Sequence, residues 1–311
     1  MKEEQNEGIY VSIDEFAKAL NLKVHYDGER SEIRLCTTNV NRPGLLLAGF
    51  NKYFGENRVQ VMGSAEIKYL QTLDRPAKRQ ALERLCRYPV PCIIISRSLH
   101  PTREITQMAK KYKRPVFLSD EVTSTLDNEL VMYLNDLLAP TTTSHGVLLD
   151  VYGVGVLITG KSGIGKSETA LELIKRGHRL VADDAVIVKN IKNTILGSAP
   201  ASIRYFMEIR GIGIIDIRNM YGVGSVAKEQ EIELVIELEL WDEQKNYERL
   251  GLGQLYYEIL GKKIPSILLP VRPGRNLAIV VESAAMNHRL KERGFNAAEE
   301  LNNRIMNKIN D

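Results

Sequence analysis

Apolar and acidic residues alternate almost without a break along residues 231–240 (EIELVIELEL). Ile232, Leu234, Ile236, Leu238 and Leu240 share one face, and Glu231, Glu233, Glu237 and Glu239 share the other. A period of two with one polar face predicts a half-exposed strand of an antiparallel sheet, its acidic row solvated rather than metal-binding. The first half of the chain carries a different rhythm. Ser12-Ile13-Asp14-Glu15 fits a capping box opening an amphipathic helix that contains Phe16, Ala19 and Leu20. Residues 76–87 place Ala81, Leu82 and Leu85 on one helical face, residues 92–96 (CIIIS) form a short buried strand, and a helix over 104–111 precedes a strand over 116–119. This alternation predicts an α/β domain.

The second half opens with strands over 147–150 and 154–159, joined through Tyr152-Gly153, then a helix over 167–176 that Gly177 ends. Residues 180–182 form another strand. The C-terminal part reads as a strand over 277–281 and helices over 284–293 and 297–309, with Gly294 between the helices. Between the halves, residues 138–144 (LAPTTTS) combine a proline with a Thr/Ser cluster and read as a linker. The expected architecture is therefore α/β with two domains, residues 1–137 and 138–311, as a length of 311 residues also favours.

Composition narrows the function classes. Hydrophobic residues at 44% and charged residues at 26% suit a soluble globular chain. A net charge of +3 gives no reason to expect nucleic acid or an anionic membrane as partner. The longest apolar stretch, 146–160, carries Asp150 and several glycines and is too short to span a bilayer. The opening MKEEQNE is too acidic for a signal peptide. Cys36, Cys86 and Cys92 are an odd number without metal-type spacing, which favours the reducing cytoplasm. The basic run Lys110, Lys111, Lys113 and Arg114 reads as a solvated helix end.

One motif changes the picture. Gly160-Lys161-Ser162-Gly163-Ile164-Gly165-Lys166-Ser167 fits GxxxxGK[ST] between a predicted strand and a predicted helix. Glycines let several backbone N–H groups converge on phosphate oxygens, Lys166 adds a mobile cation, and Ser167 offers a hydroxyl to Mg²⁺. One helix and one turn later, Leu180-Val181-Ala182-Asp183-Asp184 ends a strand in two acids. Ligands of open α/β sheets sit beyond the carboxyl ends of the strands, so this pair reaches the phosphates: one acid suits Mg²⁺, the other suits accepting a proton from a nucleophile. Glu208 and Arg210 stand in MEIRGIGIID beside Gly211 and Gly213, a segment that reads equally as a glycine-punctuated strand. Arg272 and Arg275 lie in PVRPGR, either a phosphate-binding loop or a solvated one. His145, at a strand start, reads alone as a surface or turn residue.

With these stretches in hand, the second half resembles the HPr kinase/phosphorylase family through HGVLLDVYGVGVLITGKSGIGKSETALELIKRGHRLVADD, MEIRGIGIID, YERLGLG, PVRPGRN and AAMNHRL. The first half resembles it more weakly through NRPGLLLAGF and LAPTTTSHG. The resemblance implies an N-terminal α/β domain for assembly or regulation and a C-terminal P-loop kinase domain similar to phosphoenolpyruvate carboxykinase. It implies a cytoplasmic homohexamer of carbon catabolite repression. That enzyme phosphorylates a serine of the phosphocarrier HPr with ATP or pyrophosphate, and removes the group with inorganic phosphate to give pyrophosphate. On matching positions it implies His145, Lys166, Asp184 and Arg249 as the active-site set, Gly160 through Ser167 as the nucleotide loop, and Ser167 with Glu208 on Mg²⁺. Residues 207–216 would serve both directions, and Pro270, Val271, Arg272, Pro273, Gly274 and Arg275 chiefly dephosphorylation. His145 would either tune Asp184 or contact phosphate. Lys161, Glu248 and Gly253-Gln254 depart from the usual pattern and touch nucleotide preference and regulation. The rival classes are a small-molecule P-loop kinase and a GTPase-like switch. The switch needs a base-reading NKxD, which Asn51-Lys52-Tyr53-Phe54 and Asn307-Lys308-Ile309-Asn310 both fail to supply.

Overall fold

The computed structural model describes residues 8–245, 247, 253–272 and 274–310. It separates into two compact units, Met1–Ala139 and Pro140–Asp311.

In the first unit, strands Val40–Asn41, Val59–Met62, Ile93–Ile95 and Val116–Leu118 run parallel in that spatial order, and Lys23–Tyr26 closes one edge antiparallel. The apolar run of residues 93–95 is explained by burial on both faces. Ile94 packs with Phe16, Leu126 and Leu130, whereas Ile93 and Ile95 pack with Leu82, Leu85 and Ile105. Helices Ile13–Ala19 and Thr123–Leu137 thus cover one face, and Ser64–Thr72, Arg75–Arg87 and Arg103–Tyr112 the other. Ser12 caps its helix by accepting from the Glu15 amide at 3.1 Å. The inward residues there are Ile13, Phe16 and Ala17, and Ala19 is exposed.

The second unit holds a six-stranded sheet in the order Arg179–Ala182, Val147–Val151, Val154–Gly160, Leu234–Leu240, Lys262–Val271, Leu255–Ile259. Tyr152 (φ 56°) and Gly153 (φ 84°) form the hairpin turn between the second and third of these, both in the left-handed region that such two-residue turns require. Helices Lys166–Lys175 and Leu277–Glu292 pack on one face. A four-stranded antiparallel sheet, Glu229–Glu231, Thr194–Ser198, Ala185–Ile191 and Thr141–His145, shares the core on the other.

Three expectations are corrected. Residues 234–240 form a central strand, parallel to both neighbours, not a half-exposed strand of an antiparallel sheet. Val235 is buried against the second sheet, while Glu233 accepts from the Gly155 amide at 3.1 Å and Glu239 pairs with Lys245, so the acidic row is partly covered. Residues 277–281 are helical: Asn276 caps the helix by accepting from the Ile279 amide, and Ala278, Val281 and Ala285 are its buried stripe. Packing outweighs the β-preference of Ile279, Val280 and Val281. The Thr/Ser cluster of the expected linker is the strand Thr141–His145, where β-branched threonines suit a half-exposed edge.

Candidate active site

Strand Arg179–Ala182 is antiparallel to Val147–Val151, which is antiparallel to Val154–Gly160. The first and third therefore point the same way, as do the parallel strands Leu234–Leu240 and Lys262–Val271. The phosphate loop and the Asp183-Asp184 pair consequently leave the sheet at the same carboxyl edge.

Gly160 opens the loop at φ 139°, and a Cβ there would lie 2.6 Å from the Leu238 carbonyl oxygen, so only glycine fits. Ile164 anchors the loop in the core. The helix that follows, Lys166–Lys175, has no side-chain cap at Gly165, which leaves its first-turn amides to an anion. Lys166 is largely buried and its Nζ donates to the carbonyls of Gly160 (2.9 Å) and Lys161 (3.2 Å). The lysine is thereby folded along the loop whose ligand it would neutralise.

The two acids of the DD pair have opposite surroundings. Asp183 is 5% exposed; its Oδ1 accepts from Ser167 Oγ and its Oδ2 from the Glu208 amide, both at 3.1 Å. Burial raises its pKa above the usual carboxylate range and the Asp184 charge adds to that, outweighing the hydrogen bonds from Ser167 and from the Glu208 and Asp184 backbone. Asp184 sits at φ 66°, which turns its side chain away from the core, and the side chain is 70% exposed. His145 pairs with Ala185 across the antiparallel strands, and its Nδ1 lies 3.1 Å from Asp184 Oδ1. Glu208 and Arg210 come from the hairpin of Phe206–Ile209 and Gly213–Asp216. Arg210 Nη2 donates to Ser162 Oγ at 3.0 Å, and its guanidinium occupies the space a Cβ on Gly163 would need.

These groups line one open cleft of about 160 Å³. Of the expected residues it gathers His145, Ser162, Gly163, Gly165, Lys166, Ser167, Asp184 and Glu208. Gly160, Lys161 and Ile164 frame the loop without lining the cleft. Arg249, Glu248 and Pro273 lie outside the described residues. The rest of the 270–275 segment is absent from the lining among the described residues: Arg275 Nη1 donates to the Pro270 carbonyl at 3.1 Å, and Arg272 stacks on Trp241. Asp183 of the expected acid pair and Arg210 of the 207–216 segment line the cleft too, and Glu168 joins them without having been expected there. Ser167, Asp183 and Glu208 offer only hard oxygen donors, and no group of three or more His, Cys, Asp or Glu among the described residues forms a metal cage. Such a set suits Mg²⁺, which keeps waters and shares phosphate oxygens.

The buried acid gives a stability test. A carboxyl whose pKa is raised by folding costs stability that builds as pH rises from the unfolded pKa to the raised one, is complete above it, and vanishes below the unfolded pKa. Asp183→Asn keeps both contacts available, because its Oδ1 can accept from Glu208 and its Nδ2 donate to Ser167. Melting of the ligand-free variant is expected roughly 2–4 °C above the parent at pH 8, the gap closing as pH falls toward 4. A variant less stable at every pH would contradict this.

Comparison with known proteins adds independent observations. Residues 11–134 match the family model described as HPr Serine kinase N terminus, and residues 136–305 match HPr Serine kinase C-terminal domain. The chain belongs to the HPr kinase/phosphorylase family. An HPr kinase/phosphorylase of Caldanaerobacter subterraneus subsp. tengcongensis is 50% identical over 300 residues, covering 96% of this chain and 98% of that one. One from Alkaliphilus metalliredigens is 48% identical over 302 residues, covering 97% and 98%. The solved HPr(Ser) kinase/phosphatase from Coxiella burnetii is 40% identical with a TM-score of 0.46, covering 51% of this chain and 98% of that chain. Membership of the HPr kinase/phosphorylase family decides against the GTPase-like switch and the small-molecule kinase.

Proposed function

We propose that this chain phosphorylates a serine of HPr with ATP and, in the opposite direction, uses inorganic phosphate to release that group as pyrophosphate. The observation that supports it most directly is a phosphate loop and an exposed carboxylate in one cleft. In the forward direction the loop amides and Lys166 hold the phosphate chain of ATP. Asp184 takes the proton of the serine hydroxyl as its oxygen attacks the γ-phosphorus and the bond to the β-phosphate oxygen breaks. In the reverse direction a phosphate oxygen attacks the phosphoserine phosphorus, the serine Cβ–O stays intact, and protonated Asp184 returns the proton to the leaving serine oxygen. The contact between Asp184 Oδ1 and His145 Nδ1 supports the first role for His145, orienting the carboxyl and tuning its proton. Arg210, already on Ser162, adds a second cation beside the loop. Mg²⁺ bound by Ser167 and Glu208, with Asp183 behind them, would supply charge neutralisation at the phosphoryl oxygens.

The same reading makes the protein a homohexamer of carbon catabolite repression, its first unit serving assembly or regulation. A cytoplasmic setting is supported by the three free cysteines, Cys36, Cys86 and Cys92; burial pushes the Cys86 thiol up to about 12. Among the described residues no helix is long and apolar enough to cross a membrane. The test is incubation with HPr and labelled ATP, followed by phospho-HPr with phosphate. Label on the HPr serine and pyrophosphate release are expected. ATP turnover without label transfer would reject the kinase, and orthophosphate without pyrophosphate would reject phosphorolysis.

A further inference from the structure

Trp241 is the only tryptophan of the chain, and no role attaches to it so far. It follows strand Leu234–Leu240, and its amide donates to the Val271 carbonyl at 3.1 Å, continuing the parallel register in which Leu240 faces Val271. Arg272 is the next residue on the neighbouring strand's exit. Both leave the sheet at the edge where Gly160, registered with Leu238, opens the phosphate loop. The Arg272 guanidinium carbon lies 3.2 Å from the centre of the indole ring. The Tyr247 ring stacks on the same indole with centroids 4.7 Å apart and planes at 32°.

We infer that Trp241 is a positioning residue for Arg272, a flat platform that holds the guanidinium ready for the inorganic phosphate of the reverse reaction. The inference rests on the reading that residues 270–275 serve dephosphorylation. An exposed arginine on a flexible stem loses rotamer freedom when it grips an anion. Stacked on an indole, the guanidinium keeps its charge and its plane, and its N–H edge stays open to two oxygens of a tetrahedral anion. Val271, the residue before it, is pinned by the Trp241 amide, so one residue fixes both the backbone and the head group of Arg272.

The test compares Trp241→Leu, Trp241→Phe and Arg272→Ala in the full-length protein, with KM for phosphate measured in phosphorolysis and KM for ATP in the kinase reaction. Trp241→Leu is expected to raise KM for phosphate about fivefold, well beyond any change in KM for ATP, and Trp241→Phe to restore most of the affinity because an aromatic face remains. Arg272→Ala is expected to weaken phosphate at least as much, with little further loss when combined with Trp241→Leu. It is also expected to shift the emission of the single tryptophan, a readout independent of turnover that stands even where Trp241→Leu fails to fold. Phosphorolysis unaffected by Arg272→Ala would overturn the reading of the segment itself. Phosphorolysis impaired by Arg272→Ala but not by Trp241→Leu would overturn the platform alone, as would equal losses in the Leu and Phe variants or an emission that Arg272→Ala leaves unchanged.

Discussion

Replacing Asp184 with asparagine is expected to abolish phosphorylation and phosphorolysis together, each falling by about two to four orders of magnitude, the span of general acid–base catalysis. The argument begins with what the side chain does not do. It is 70% exposed and, among the described residues, pairs with His145 alone, so the fold does not depend on it. The left-handed backbone at φ 66° is tolerated by asparagine at least as well as by aspartate. Melting temperature and nucleotide affinity should therefore stay near the parent values while turnover disappears. One carboxyl serves both directions, because the base that takes the serine proton in one is the acid that returns it in the other. Steady-state assays of both reactions decide the point. A variant that lost the kinase but kept phosphorolysis would assign the reverse proton to another group.

The phosphate loop was legible in the sequence because its chemistry is local: glycines at fixed spacing, then Lys166 and Ser167 at a helix start. The strand carrying Asp183 and Asp184 was legible for the same reason. The different fates of these two acids were not. Burial of Asp183 depends on Ser167 and the Glu208 amide, 16 and 25 residues away, and exposure of Asp184 depends on a left-handed φ that no propensity announces. The period-two pattern of 231–240 correctly gave a strand but misplaced it. Its glutamates find Gly155, Lys245 and the neighbouring strands, partners that only the tertiary fold brings near. Residues 277–281 misled in the opposite sense: a β-branched run is helical because Asn276 caps it and Ala278, Val281 and Ala285 meet the sheet.

Lys166→Met is expected to lower kcat by about 10²–10³ in both directions, comparable to deleting one preorganised donor to developing charge. Three effects compete. The variant loses the two hydrogen bonds from Nζ to the Gly160 and Lys161 carbonyls, which then need water from the open cleft. It also loses a cation that is largely buried, whose desolvation opposes folding in the absence of ligand. Methionine keeps most of the side-chain volume and adapts to the same space. The first two oppose each other and the third is near neutral, so the melting temperature should change little. Catalysis has no such compensation. The lysine can move from the loop carbonyls to the phosphoryl oxygens as charge builds on them, so its contribution grows toward the transition state and should appear in kcat more than in ATP affinity. Lys166→Arg should rescue neither direction, since a planar fork cannot reproduce an ammonium bridging two carbonyls 2.9 and 3.2 Å away. Weaker ATP binding with unchanged kcat would show instead that the lysine holds the ground state alone.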